Sequence, residues 1–286
     1  MPTPRISASS YSNTAPLIWS FLYGSERGKY ELVLDNAPAR SAELLRQKRT
    51  DAALVPVIEY QRIEDVLLVP DVCVGAREKV RSVCLVTKGE ELRDAKTVAL
   101  DISSKTSVTL TKIIFREFLG FEPVWKNHAP DLTKMLAEAD CALLIGDPAL
   151  VIADEGARNA ALKSENQKTE TQSHYRKFDL AETWREFTGF GFVFAMWMAN
   201  REKVKIAETI DFARARDEGL AHLEEIISNY EAEIALERAD FRDYLSQNIA
   251  YSIDEKMRAG LSLYFELAHK NCLTEGNKPL LFTNDY

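Results

Sequence analysis

The stretch of the chain richest in chemistry is Ser10-Tyr11-Ser12-Asn13-Thr14-Ala15-Pro16-Leu17, which follows a short predicted strand, Arg5 to Ala8, and leads into an apolar helical run, Leu17 to Leu22. Ser10, Ser12, Asn13 and Thr14 can donate and accept hydrogen bonds, and free backbone N–H groups at a helix start suit an anionic ligand. The same residues also fit a plain helix cap, with Thr14 or Asn13 capping and Pro16 in the first turn. A second cluster, Asp101-Ile102-Ser103-Ser104-Lys105-Thr106-Ser107, lies between a predicted strand end and a helix start. Open α/β sheets bind ligands at such ends, where hydroxyls, N–H groups and Lys105 favour a carboxylate or phosphate. Here too a capped helix accounts for the residues. The cluster lacks glycines and a Gly-Lys-Ser/Thr ending, so it is no nucleotide-binding P-loop.

Three further segments carry polar groups at strand ends. Arg81-Ser82 opens the predicted strand Val83 to Val86, offering a counter-ion and a hydroxyl. Gly146-Asp147-Pro148 closes the strand Ala142 to Ile145; Asp147 is an acid/base group or an N-cap, and Pro148 at the first helical position favours the cap. Thr188 to Trp197 is a glycine-loosened aromatic strand, most simply core, whose glycines can also admit close backbone approach or hinge two lobes. Cys73, Cys84, Cys141 and Cys272 form no CxxC pair, and His128, His174, His222 and His269 form no HxxxH or HExxH spacing. Buried reduced thiols and no metal site are expected.

These groups need a scaffold, and the pattern supplies an α/β one. Short apolar strands alternate with helical stretches from Arg5 to about Ile152, which predicts an α/β fold with mainly parallel sheets. Glu31 to Leu34, Ala52 to Val55, Val66 to Val69, Val98 to Leu100, Glu122 to Trp125 and Phe192 to Trp197 read as further strands, with helices at Ser41 to Lys48 and Val108 to Leu119. The segment Glu43 to Pro56 echoes Thr133 to Gly146: a short helix, a polar break with Asp, a buried strand, then Pro or Gly. Two lobes of similar construction would produce that echo. After Trp197 the apolar spacing turns almost purely helical, and Glu155 to Tyr175 reads as a polar surface excursion.

With 286 residues the chain can hold one large domain or two lobes. Hydrophobic residues at 46% and charged residues at 28% are ordinary for a globular protein, and a net charge of −8 argues against general nucleic-acid binding. The N-terminus shows no apolar signal core and no apolar stretch reaches about 18 residues, so a cytoplasmic protein without a membrane partner is expected.

Taken together, Ser10 to Leu17, Asp51 to Tyr60, Arg81-Ser82-Val83, Asp101 to Ser107, Leu144 to Leu150 and Thr188 to Trp197 resemble chorismate dehydratase of the futalosine route to menaquinone. The resemblance covers almost the whole chain. It implies the two-lobed fold of type II periplasmic binding proteins with ligand in the interlobe cleft, one lobe from residues 1–86 and 194–286 and the other from 87–193. It implies Asn13 at the reacting centre, Ser82 as a substrate contact, and a loop of Ser103, Ser104, Thr106 and Ser107 that holds a carboxylate. Ser10, Tyr11, Val55, Pro56 and Asp147 complete the implied substrate site. The implied reaction removes water from chorismate, a small dicarboxylate, without a cofactor. Its base is either the substrate's own enolpyruvyl carboxylate or Asp147. The related dihydroxynaphthoate-forming enzyme carries a catalytic His where this chain has Gly146-Asp147, which favours the dehydratase. A solute receptor of the same fold is the other reading.

Overall fold

A computed structural model describes residues 3–35, 38–152 and 175–285 of the protein; the expected excursion Glu155 to Tyr175 falls, apart from Tyr175, outside the described residues, as does His174. The strands are β1 (Arg5–Ser9), β2 (Glu31–Asp35), β3 (Ala52–Pro56), β4 (Val66–Ala76), β5 (Val83–Thr87), β6 (Thr97–Asp101), β7 (Val124–His128), β8 (Cys141–Ile145), β9 (Arg176–Asp179) and β10 (Phe192–Asn200). The helices are α1 (Ala15–Leu22), α2 (Pro38–Arg46), α3 (Glu59–Arg62), α4 (Lys105–Ile113), α5 (Leu132–Glu138), α6 (Asp147–Leu150), α7 (Leu180–Thr188), α8 (Val204–Ala207), α9 (Phe212–Ala221), α10 (Leu223–Tyr230), α11 (Arg238–Asp243) and α12 (Glu255–Lys270).

Two five-stranded sheets result, ordered β2-β1-β3-β10-β4 and β7-β6-β8-β5-β9. They share one plan. In the first sheet β1 is flanked in parallel by β2 and β3, and β10 runs against β3 and β4. In the second, β6 is flanked in parallel by β7 and β8, and β5 runs against β8 and β9. The single reversed strand in each sheet is the one that the chain enters after crossing from the other sheet. The echo between Glu43 to Pro56 and Thr133 to Gly146 falls on α2–β3 and α5–β8, which hold the same place in the two plans.

Burial explains why β3 and β8 read as unbroken apolar runs. Every residue of both strands is buried, as in strands covered on both faces. In β8, Cys141, Leu143 and Ile145 join the main core, while Ala142 and Leu144 join a smaller cluster with Met135 and Leu136 of α5 on the opposite face. The helix α12 packs against both β10 and α4, and so ties the sheets together. Its Tyr264 meets the rings of Trp184 and Phe192 edge-on, at centroid distances of 6.4 and 5.0 Å. Such fully buried large side chains contribute about 1.5–3 kcal/mol each.

The chain passes from the first sheet to the second between Ala76 and Val83 and returns between Asp179 and Phe192, so the expected lobe limits at 86 and 194 fall inside β5 and β10. Other boundaries move as well. The strand expected at Val66 to Val69 runs on to Ala76, that at Glu122 to Trp125 lies at Val124–His128, and the helix expected from Val108 starts at Lys105 and passes into a π-helical turn, Ile114–Leu119. The edge strand β9, of sequence Arg-Lys-Phe-Asp, lacks an apolar signal because charged residues are what a solvent-facing edge tolerates. Cys73, Cys84 and Cys141 are buried free thiols, whereas Cys272 is exposed.

Candidate functional site

A cleft of about 560 Å³, partly open to solvent, lies where the carboxyl ends of the parallel strands of both sheets face each other. The first sheet supplies Ser9 at the end of β1, the turn residues Tyr11, Asn13 and Thr14, and Leu54 and Pro56 of β3. The second supplies Ser103, Ser104, Thr106 and Ser107 around the start of α4, and Ile145 and Gly146 at the end of β8. Val74, Val83 and Phe194 complete an apolar wall.

Local chemistry shapes both polar banks. On the second-sheet side, Ser104 caps α4, its hydroxyl accepting from the Ser107 N–H at 3.3 Å. The capped-helix reading of this loop is therefore correct, and the cap leaves the N-terminal end of α4 facing the cleft. Beneath it, the buried Asp101 carboxylate accepts from the Ser103 N–H at 2.9 Å and the Ser103 hydroxyl at 2.6 Å. Burial raises the Asp101 carboxyl above the ordinary carboxylate range, and these bonds counter the rise. On the first-sheet side, Ser12–Thr14 forms a 3-10 turn before α1. Thr14 makes no side-chain cap; its hydroxyl donates to the Ser9 and Tyr11 carbonyls at 2.7 and 2.8 Å and so locks the turn that presents Asn13. The Asn13 cap is likewise not made, leaving its amide on the cleft wall beside the wholly buried Tyr244 hydroxyl.

The banks touch each other. The Tyr11 phenol, pushed up chiefly by burial, faces Ser103 across the cleft, and the Ile58 N–H donates to the Thr106 hydroxyl at 3.4 Å. The Tyr264 hydroxyl donates to the Thr106 carbonyl at 3.0 Å. Among the described residues no Lys, Arg or His lines the cleft. An anionic ligand there meets neutral hydroxyl, amide and N–H donors at helix starts, an arrangement that orients carboxylates without a counter-ion.

Seven of the eleven residues of the implied substrate site meet in this cleft: Tyr11, Asn13, Pro56, Ser103, Ser104, Thr106 and Ser107. Four lie outside its lining. Val55 points to the opposite face of β3 from Leu54 and Pro56, as strand alternation requires. The Ser10 N–H donates to the Asp35 carbonyl at 2.9 Å and its own carbonyl accepts from Tyr230 at 3.0 Å. Ser82 is fully buried, and its carbonyl accepts the Gly146 N–H at 2.7 Å. Asp147 is not an N-cap, since Gly146 holds that position, and its carboxylate is taken by Ser12. Arg81, expected as a counter-ion, pairs with Asp240 at 2.8 Å, and Lys105 is exposed. Leu54 and Phe194 lie in segments that the resemblance marks, but that their side chains and that of Val74 face the cleft has no signal in the sequence, because which face of a strand meets a cleft depends on the opposite lobe.

Gly146 is a tight point of the cleft lining. Its φ of +68° is a left-handed value, and a Cβ added there would sit 3.3 Å from the Tyr11 ring. A Gly146→Ala variant is expected to lose about 1–3 kcal/mol of stability through backbone strain alone. Thermal melts beside the unaltered protein measure this.

The fold has well-populated company. Protein AF1704 from Archaeoglobus fulgidus superposes with a TM-score of 0.69 at 18% identity, covering 94% of this chain and 97% of that one. The periplasmic aliphatic sulphonate binding protein SsuA from Escherichia coli gives 0.61 at 16% identity, with coverage of 97% and 90%. A Candida albicans protein, CA3427, described as having the generic periplasmic binding protein fold, gives 0.60 at 11% identity, with coverage of 99% and 97%. At such identities the likeness establishes the fold: a two-lobed α/β periplasmic-binding-protein-like architecture with a cleft between the lobes. No helix among the described residues is long and apolar enough to cross a membrane. Residues 4–270 match the family model for menaquinone biosynthesis, and the chain accordingly belongs to the menaquinone biosynthesis family.

Proposed function

We propose that this protein dehydrates chorismate to 3-[(1-carboxyvinyl)oxy]benzoate. The observation that carries the reading is the cleft itself: an apolar wall, hydroxyl and N–H donors on both banks, and the Asn13 amide beside them, in a menaquinone biosynthesis chain. The two lobes act as two jaws, residues 1–86 and 194–286 against 87–193, with the limits adjusted to the strand boundaries above. Ser103, Ser104, Thr106 and Ser107 hold one substrate carboxylate through hydroxyls and the N–H groups at the start of α4, while Leu54, Val74 and Phe194 cover the ring.

The ring proton at C3 is acidic because the carboxylate at C1 is conjugated to it through the adjacent double bond. Its removal and departure of the C4 hydroxyl leave an aromatic ring, which drives the step. In the account favoured here the substrate's enolpyruvyl carboxylate takes the C3 proton and returns it to the departing hydroxyl, so one water leaves and charge balances. Asn13 donates its amide N–H to the leaving oxygen or to the carboxylate that carries the proton. The protein adds orientation and dry walls, which are worth most when the substrate already contains its base. Asp147, outside the cleft lining and engaged by Ser12, is a poor candidate for that base.

Two other readings draw on the same fold. The sister reaction, forming 1,4-dihydroxy-6-naphthoate from a cyclic futalosine derivative, uses a histidine near Gly146, where a side chain meets the Tyr11 ring. A solute receptor is supported by the binding proteins among the structural neighbours. Mixing purified protein with chorismate separates the three: new aromatic absorbance growing with time and protein concentration is the expected result. Saturable binding without turnover assigns a receptor, and turnover of the futalosine derivative instead assigns the sister enzyme.

A further inference from the structure

Asp147 stands out once the cleft is mapped. It is the first residue of α6, directly after β8, in the second lobe. Its carboxylate reaches the first lobe, 135 positions away in sequence, accepting from the fully buried Ser12 hydroxyl and from the Ser12 N–H at 3.4 Å. Among the described residues no lysine or arginine pairs with it; burial raises its carboxyl, and the two Ser12 donors counter that rise. Glu233, Tyr230, Tyr244 and Tyr11 are its other ionisable neighbours among the described residues, and none of them is cationic. A half-buried carboxylate without a cation, spent on one serine, is costly unless that serine must be held.

The serine precedes Asn13. The turn is fixed from its own lobe by the Thr14 hydroxyl on the Ser9 and Tyr11 carbonyls, and from the opposite lobe by Asp147. We propose that Asp147 is a positioning residue for Asn13: it clamps the Ser12–Asn13 turn from across the cleft, so that the amide is correctly placed only when the lobes meet. This rests on the dehydratase reading for its catalytic consequence, but not for the clamp. Closing the jaws then assembles the reacting geometry, and an open protein does not spend it on water.

Hydrogen exchange and kinetics test the two parts separately. In Asp147→Ala the amides of Asn13 and Thr14 are expected to exchange at least about tenfold faster, the scale of one lost charge-assisted hydrogen bond, while the sheets exchange unchanged. Ser12→Ala, a conservative change, should give the same pattern. Toward chorismate, each variant is expected to lose about 10²-fold in kcat with KM little altered, the cost of misplacing a reacting group. The double variant should be no worse than the weaker single one, and Asp147→Asn, which keeps one acceptor oxygen, should recover part of the loss. In an Asn13→Ala background, Asp147→Ala should cost nothing further. Unchanged exchange at Asn13 and Thr14 overturns the clamp. Kinetic losses from Ser12→Ala and Asp147→Ala that multiply overturn it too, and assign Asp147 a direct role on substrate. Failure of the unaltered protein to consume chorismate defeats the dehydratase reading alone, and the exchange result still decides the clamp.

Discussion

Replacing Asn13 by alanine is expected to lower kcat for chorismate dehydration by about 10²–10³-fold, the range seen when one preorganised donor to a developing charge is removed. The side chain lines the cleft on a turn locked by Thr14 and followed by α1, so truncating it leaves the scaffold in place. KM should move much less, because the hydroxyls on the opposite bank and the apolar wall hold the substrate in ground and transition states alike. Steady-state kinetics with chorismate gives both numbers. A kcat within threefold of the unaltered protein's would remove Asn13 from the chemistry. An Asn13→Asp change should be as damaging, since it replaces a donor by a charge facing a dianionic substrate.

A stability effect of comparable size is expected at Asp179, the last residue of β9, which is buried in the crossover region. Its carboxylate accepts from four backbone N–H groups: Val80 at 3.0 Å and Arg81 at 2.6 Å on the outgoing crossover, and Ala181 at 2.9 Å and Glu182 at 3.1 Å at the start of α7. It therefore caps a helix and holds the crossover in one move. Arg81 needs that hold, because its φ of 62° is left-handed and costly for a residue with a Cβ. Asp179→Ala strands these donors in a buried place and is expected to cost about 3–4 kcal/mol. In a chain of this size that lowers Tm by roughly 5–7 °C. Asp179→Asn keeps one acceptor oxygen and should lose less. Thermal unfolding followed by circular dichroism measures both, and a Tm for Asp179→Ala within two degrees of the unaltered protein's would contradict this account of the crossover.

Much of this arrangement can be read in the chain. The apolar runs of β3 and β8, each preceded by a short helix and an Asp, announce two equivalent units before any coordinates, and the two sheet orders repeat that equivalence. Residues next to strand ends were legible for the same reason: Asn13 and the Ser103 to Ser107 loop sit where parallel strands finish, and the fold can only gather such ends at a cleft. What the residues alone did not carry was long-range. Nothing near Asp147 in sequence points to Ser12, and Asp147-Pro148 looks like a helix cap because local rules favour it. Thr14 likewise looks like a cap, yet its hydroxyl goes backwards to the Ser9 and Tyr11 carbonyls. Val55 shares its neighbours' apolar run, although strand alternation sends it away from the cleft. The strand β9 is not legible because an edge with Arg, Lys and Asp has no apolar rhythm.

The most direct measurement is the fate of chorismate itself, followed by NMR and mass spectrometry in the presence of catalytic amounts of the protein and no added cofactor. Complete conversion to 3-[(1-carboxyvinyl)oxy]benzoate is expected, lighter than substrate by one water, with the C3 hydrogen lost and the enolpyruvyl group intact. Chorismate recovered unchanged, or a product that has shed its enolpyruvyl group, would contradict it.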